Sequence, residues 1–296
     1  MKLQALGEDR LLKRLLPSLY LGCGVIIGPG DDCAVLRTDN PEKVLLLKTD
    51  CVIAGVHFTL DAKPSAVGWK AMARPLSDFA AMSGLPQFAL VTIVVRADTT
   101  LNWITALYRG LEKAARAFHV SVVGGETSTT TGPAMISVSL SGWAESDRWV
   151  SRSGAKSGDE LFVTGRLGGS LGGHHLRFTP RIAESRWLTG RFDVHAMMDL
   201  SDGIGADLPR LAEASGVGFE LDQAALPRNR RCSIRAAISD GEDYELLFAI
   251  APEASARLQQ AWRRKFPKLP LTRIGAVVSE ASTTRTKLPR GYVHFQ

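Results

Sequence analysis

The stretch Glu145 to Asp159, ESDRWVSRSGAKSGD, decides how this chain is organised. It is polar, carries Ser-Arg and Ser-Gly steps, and separates two regions that each alternate short apolar strands with helical spacing. We read it as the boundary between two domains, residues 1–147 and 148–296. On its N-terminal side, Cys33–Arg37, Val44–Thr49, Phe88–Val95 and Met135–Trp143 are rich in Val, Ile, Leu, Phe or Thr and read as strands. Ile104, Leu107, Leu111, Ala115 and Phe118 are spaced as one face of a helix. On its C-terminal side the pattern resumes with strands at Glu160–Thr164, into Asp199, at Tyr244–Ile250 and at Leu271–Val278. Helices are expected from near Pro180, along Ile204, Leu208, Leu211 and Ala212, and over Pro252–Lys265. Strands mixed with helices in both halves predict α/β or α+β domains packed on one another.

Composition agrees with that size. A chain of 296 residues fits two domains of roughly 100–200 residues each. With 45% hydrophobic and 22% charged residues there is material for a packed core, and disorder is excluded. The longest apolar run, Phe88 to Val95, is far short of the roughly 20 residues a membrane helix needs. Met1 to Arg14 mixes charges with Leu and has no signal-peptide core, so a cytoplasmic location away from membranes is expected. The net charge of +6 favours anionic partners. Nucleic acid is not expected, because the densest basic cluster, Arg228, Arg230, Arg231 and Arg235, has no interleaved aromatics. Four cysteines without a C-x-x-C pair predict reduced thiols and no zinc.

No P-loop and no G-x-G-x-x-G occurs, so a nucleotide would have to bind by another route. What stands out is a set of acidic residues in short Gly- or Ser-flanked segments. They are Gly30-Asp31-Asp32, Thr49-Asp50, Ser77-Asp78, Gly124-Gly125-Glu126-Thr127, Asp199-Leu200-Ser201-Asp202-Gly203 and Asp240-Gly241-Glu242-Asp243. Each alone reads as a turn or a cap, and Asp202 could cap a helix beginning near Gly203. Together they suggest convergence, since acids at strand ends are costly unless solvated, paired or bound to cations. Carboxylates beside hydroxyls suit Mg²⁺, which is commonly shared with substrate phosphates, so phosphoryl transfer is the expected chemistry.

The blocks GPGDDCAVL, LLLKTDCVIAGVHF, GWKAMARPLSDFAAM, GGETS, SRSGAKSGD, MMDLSDGIGADL, GEDYELLF and GYVHF, in this order, resemble the thiamine-monophosphate kinase family. That family lies within a larger ATP-using group with aminoimidazole ribonucleotide synthetase and selenophosphate synthetase. The resemblance implies a two-domain fold of that group and a homodimer. Its N-terminal mixed-sheet domain forms the interface, and its C-terminal α/β domain covers the site. It implies transfer of the γ-phosphoryl group of ATP onto thiamine monophosphate with several Mg²⁺ ions. Carried onto this sequence, Asp32, Thr49, Asp50, Asp78, Glu126, Asp199 and Asp202 match metal ligands, and Gly125, Glu126, Arg152 and Ser201 match nucleotide contacts. His57, Glu242 and Tyr292 match the thiamine monophosphate site. The acceptor is a monoester with a second pKa of about 6, already largely anionic, so no general base is expected. Charge neutralisation and alignment must supply the catalysis.

The sequence departs from the family at four places. GGET stands for GGDT, which lengthens the carboxylate of Glu126. Lys48 precedes Thr49-Asp50 where a small hydroxyl residue is usual. It shares a strand face with Asp50 and either lends its ammonium to the site or reaches solvent. Arg74-Pro75 falls in a segment that is usually an uninterrupted helix, and Asp240 replaces a first Gly of GGED. These leave open another enzyme of the same group, or a nucleotide-binding paralogue without kinase activity. A hydrolase is also conceivable, because Gly168-Gly169-Ser170-Leu171-Gly172 matches G-x-S-x-G, with Ser170 as nucleophile and His294 as base. The local glycine content accounts for that match, and the aspartates would have no role.

Overall fold

The computed structural model describes residues 2–282 and 288–292. His294, the base of the hydrolase reading, lies outside the described residues. The strands are β1 (Val25–Ile27), β2 (Ala34–Arg37), β3 (Lys43–Ile53), β4 (Leu85–Val95), β5 (Ser121–Thr129), β6 (Met135–Glu145), β7 (Glu160–Thr164), β8 (Val194–Asp199), β9 (Gly218–Leu221), β10 (Leu246–Ile250) and β11 (Leu271–Val278). The α-helices are α1 (Leu3–Leu6), α2 (Glu8–Leu15), α3 (Pro64–Ala81), α4 (Leu101–Ala117), α5 (Ile182–Thr189), α6 (Ile204–Ser215), α7 (Ile234–Ser239) and α8 (Pro252–Lys265).

The strands form two sheets, of order β1-β2-β3-β6-β4-β5 and β8-β10-β7-β11-β9. The first is mixed: β4 and β5 run parallel, joined through α4 in a βαβ crossover, and the other pairs are antiparallel. The second sheet is antiparallel throughout. With its helices it takes the α+β form of the expected class.

Strand alternation sorts β3 into two faces. Val44, Leu46 and Val52 are buried, so Lys48 and Asp50, two residues apart in the same series, are carried to the covered face. Helix α3 lies against β3 and β6 on that face. It packs closely on α4 because glycines meet there. A Cβ at Gly68 would lie 2.0 Å from the Leu107 carbonyl oxygen, and one at Gly110 would lie 1.9 Å from that of Ser65. The α3 helix runs through Arg74-Pro75 without a break, so this departure from the family leaves the helix whole. The opposite face of the first sheet is open, with Phe88, Leu90 and Val123 about half exposed and every residue of β5 exposed.

A large core joins the two halves. Phe79, Met82 and Leu46 belong to the same buried cluster as Phe162, Met197 and Phe248. That shared packing sets the loop after β1, the end of α3 and the end of β8 against one another.

Candidate active site

Three carboxylates meet where the halves join. Asp32 comes from the turn after β1, Asp78 from the last turn of α3 and Asp199 from the end of β8, and all three are buried. Each offers an oxygen within 4.8 Å of those of the other two. Around them the chain arranges its own partners. Ser77 Oγ donates to Asp199 Oδ2 at 2.6 Å. Arg152 donates to Asp32 Oδ1 through Nε at 3.2 Å and through Nη2, and its backbone N–H reaches Asp31. Lys48 Nζ lies 2.8 Å from Asp78 Oδ1. Asp32 Oδ2 is buried and has no hydrogen-bond partner among the described residues.

Such a cluster is short of positive charge, and its protonation shows it. Burial, with the charge of Asp32, pushes Asp199 up to about 7. Burial and Asp32 likewise push Asp31 up to about 6. Burial would also raise Asp50, yet Lys48 and Arg74 on either side hold it below the usual carboxylate range. Burial works against the Lys48 ammonium, but Asp78 and Asp50 outweigh it and keep the lysine protonated.

The carboxylates open into a cavity of about 480 Å³, whose lining includes Asp31, Asp50, Asp78, Arg152, Asp199, Ser201 and Asp202. Asp202 does not cap α6, whose N-cap is Gly203 without a side-chain bond. Its Oδ2 instead accepts from Arg210 at 2.5 Å. A second, narrower cleft of about 100 Å³ adjoins the first and is lined by His57, Glu242 and Tyr292 together with Arg74 and Tyr244. His57 Nδ1 accepts from the Ile53 backbone N–H at 3.0 Å, so the ring is held with its proton on Nε2. Glu242 pairs with the fully buried Lys70, which also donates to the His57 carbonyl at 2.6 Å. Burial, opposed by Glu242, brings Lys70 down to about 8. Tyr244 stacks on Phe178 with ring centroids 3.8 Å apart and forms one wall.

The N-terminal domain model of AIR synthase related protein matches residues 30–144, and the C-terminal domain model matches residues 173–286. The thiamine-monophosphate kinase of Rhodopirellula baltica is 38% identical over 296 residues, covering 91% of this chain and 92% of that protein. That of Aquifex aeolicus is 33% identical over 331 residues and covers both chains in full. The chain belongs to the thiamine-monophosphate kinase family. A solved structure, AaThiL complexed with AMPPCP and TMP, is 32% identical, covers 99% of each chain and superposes with a TM-score of 0.82.

Of the residues the family resemblance singled out, Asp32, Asp50, Asp78, Arg152, Asp199, Ser201 and Asp202 share the larger cavity or its wall. His57, Glu242 and Tyr292 share the adjoining cleft. Three others are not brought there within one chain. Thr49 lies on the open face of the sheet, its hydroxyl 3.0 Å from Ser139 Oγ, because alternation turns it away from Asp50. Gly125 and Glu126 lie on β5. The register Asp50, Val138, Val91, Gly125 puts three strand spacings, about 14 Å, between β3 and that edge. Gly125 is needed for close pairing: at φ +154° a Cβ would sit 1.8 Å from the Val91 carbonyl oxygen.

Lys70, Arg74 and Tyr244 are site residues that the sequence reading did not assign. The signal was there for two of them. Lys70, Arg74 and Asp78 are spaced i, i+4, i+8 along the largely buried α3, which puts all three on one stripe facing the site. Arg74 Nη1 donates to the Cys51 carbonyl at 2.9 Å, and Nη2 lies 3.4 Å from Asp50 Oδ1. Lys48, left open between site and solvent, is in the site. Ser170 is no nucleophile: it is fully buried, its hydroxyl donates to Asp243, and His175 Nδ1 contacts its carbonyl.

Proposed function

We propose that this chain holds several Mg²⁺ ions on Asp32, Asp50, Asp78, Asp199 and Asp202, and passes the γ-phosphoryl group of ATP in line to the phosphate of thiamine monophosphate. The reaction itself, ATP-dependent phosphorylation of thiamine monophosphate to thiamine diphosphate, is that of its family. The observation that carries the metal assignment is the buried triad Asp32, Asp78 and Asp199 with the unpartnered Asp32 Oδ2. Three oxygen donors of this kind fit a hard cation. Bound there, Mg²⁺ would neutralise the phosphates and the charge that develops between them. The chain's own residues do the rest. Arg152 and Ser201, in the wall of the larger cavity, face the nucleotide. His57, Glu242 and Tyr292 hold thiamine monophosphate in the adjoining cleft, with Arg74 between the two chambers. No side chain needs to take a proton from the acceptor, whose phosphate is already anionic.

The open sheet face, with its half-exposed Phe88, Leu90 and Val123 and its wholly exposed β5, supports a homodimer through the N-terminal domain. A second copy over that face would cover Thr49, Gly125 and Glu126. The same reading divides the chain at 147/148 and places the enzyme in the cytoplasm. No described helix is long and apolar enough to cross a membrane.

The test is turnover with ATP, Mg²⁺ and thiamine monophosphate, with the product identified as thiamine diphosphate. Asp50→Asn and Asp78→Asn should each lower the rate by orders of magnitude while the circular dichroism spectrum is retained. Rates within a few fold of wild type in both would remove the acids from the mechanism. Light scattering that returns the mass of one chain would remove the dimer.

A further inference from the structure

Lys48 occupies a position that strand alternation reserves for apolar residues. It shares the covered face of β3 with Val44, Leu46 and Val52, and its side chain is only 22% exposed. A lysine there turns its head into the cavity of the covered face. Its ammonium goes to the acids, 2.8 Å from Asp78 Oδ1, which is the length of a charge-assisted N–H···O bond. Asp50, two residues on, lies 3.4 Å from the Arg74 guanidinium and feels the charge of Lys48.

The acidic cluster is therefore neutralised unevenly. On the Asp50 and Asp78 side the chain supplies two side-chain cations, Lys48 and Arg74. On the Asp32 and Asp199 side the one cation, Arg152, holds Oδ1 of Asp32 and leaves Oδ2 buried with no hydrogen-bond partner among the described residues. A lysine ammonium is a compact point charge with three donors, close in its demands to a small cation that seeks carboxylate oxygens. It differs in carrying one charge where Mg²⁺ carries two, and in being covalently tethered. A divalent ion bound at Asp78 would have to displace the ammonium or share the carboxylate with it at short range, against Coulomb repulsion.

We infer that the Lys48 ammonium takes the place of one divalent cation at Asp78, so that the chain binds one metal ion fewer than its carboxylates could hold. The remaining ions sit toward Asp32 and Asp199. This rests on the reading of the acidic cluster as a Mg²⁺ site.

The experiment counts ions directly, with Mn²⁺ as the probe. Wild-type protein and Lys48→Ser are titrated with Mn²⁺ at equal AMPPCP, free Mn²⁺ is read by electron paramagnetic resonance, and melting is followed in EDTA and in saturating Mn²⁺. Serine opens the space and adds a hydroxyl oxygen. One additional Mn²⁺ per chain is expected in Lys48→Ser, with a lower melting temperature in EDTA and a larger upward shift on adding Mn²⁺. A variant that folds only when Mn²⁺ is present gives the same answer. Equal counts in the two proteins overturn the inference, as does a variant that stays unfolded at every Mn²⁺ concentration, since an ion then cannot replace the ammonium. Absence of Mn²⁺ binding by wild type overturns the metal reading of the whole cluster, and this inference with it.

Discussion

Replacing Arg152 by Met isolates what the cation at Asp32 contributes. The guanidinium is 21% exposed and Asp32 is fully buried, so the pair is shielded from water. Arg152 holds Oδ1 of Asp32 through two N–H groups, and Oδ2 has no partner among the described residues. Met fills much of the same volume but leaves a carboxylate buried without positive charge. Breaking a buried pair from one side costs about 3–5 kcal/mol. In EDTA, Arg152→Met should therefore unfold in urea with a stability lower than wild type by that amount. Adding Mg²⁺ should narrow the gap. An ion on Asp32 supplies the missing charge, and binding at a hundredfold excess over Kd stabilises by about 2.7 kcal/mol. Wild type gains less, because Arg152 already neutralises the same carboxylate. A deficit under about 1 kcal/mol in EDTA would refute the claim that Asp32 is desolvated and dependent on Arg152. A deficit unchanged by Mg²⁺ would refute the placing of an ion on Asp32.

Ser170→Ala should leave kinase activity within a few fold while lowering stability by about 1.5–3 kcal/mol, from loss of a buried hydrogen bond to the Asp243 carboxyl. Complete loss of activity in a folded variant would return Ser170 to the chemistry. Gly110→Ala should destabilise by about 2 kcal/mol or more, because its Cβ would meet the backbone at Ser65 and overpacking there exceeds the gain in helix propensity of about 1 kcal/mol. A stabilised variant in a urea melt would show that α3 and α4 can separate freely. Burial, opposed by the bonds from Ser170 and Gly168, pushes Asp243 up to about 7. An acid whose folded pKa is raised keeps its proton longer in the folded state. Its contribution to stability is therefore greatest at low pH and is lost as pH rises toward about 7. Between about pH 5.5 and pH 8 that is a loss of about 2 kcal/mol in metal-free protein, at roughly 1.36 kcal/mol per pH unit. Asp243→Asn should remove this part of the slope in urea midpoints and leave the part due to Asp31 and Asp199. An unchanged slope would place the titration elsewhere.

Much of the framework was legible along the chain, because it rests on local pattern. The strand Leu271–Val278 and the helix Pro252–Lys265 have the bounds that apolar periodicity assigns them. The last strand of the first sheet ends at Glu145 and the first strand of the second starts at Glu160. Strand β5 was not legible: its Val-Val-Gly-Gly-Glu run has no alternation of buried and exposed positions, and all nine residues are exposed in the single chain. Arg74 and Lys70 were overlooked because a charge inside an apolar helix reads as a defect until its partner, on another element, is known.

Sequence alone determined that this protein has two α/β-type halves, that its acids lie in short turns beside strands, and that its ordered blocks are those of a thiamine-monophosphate kinase. It also determined that Lys48 and Asp50 share one face of a strand, since that follows from a period of two. Only the tertiary structure decided which face is covered. It also decided that Asp32, Asp78 and Asp199, from three elements far apart in sequence, are the acids that meet. The reason is physical: a period says which residues travel together, whereas burial and the approach of charges depend on what packs against them. Here that is set by a core running through both halves.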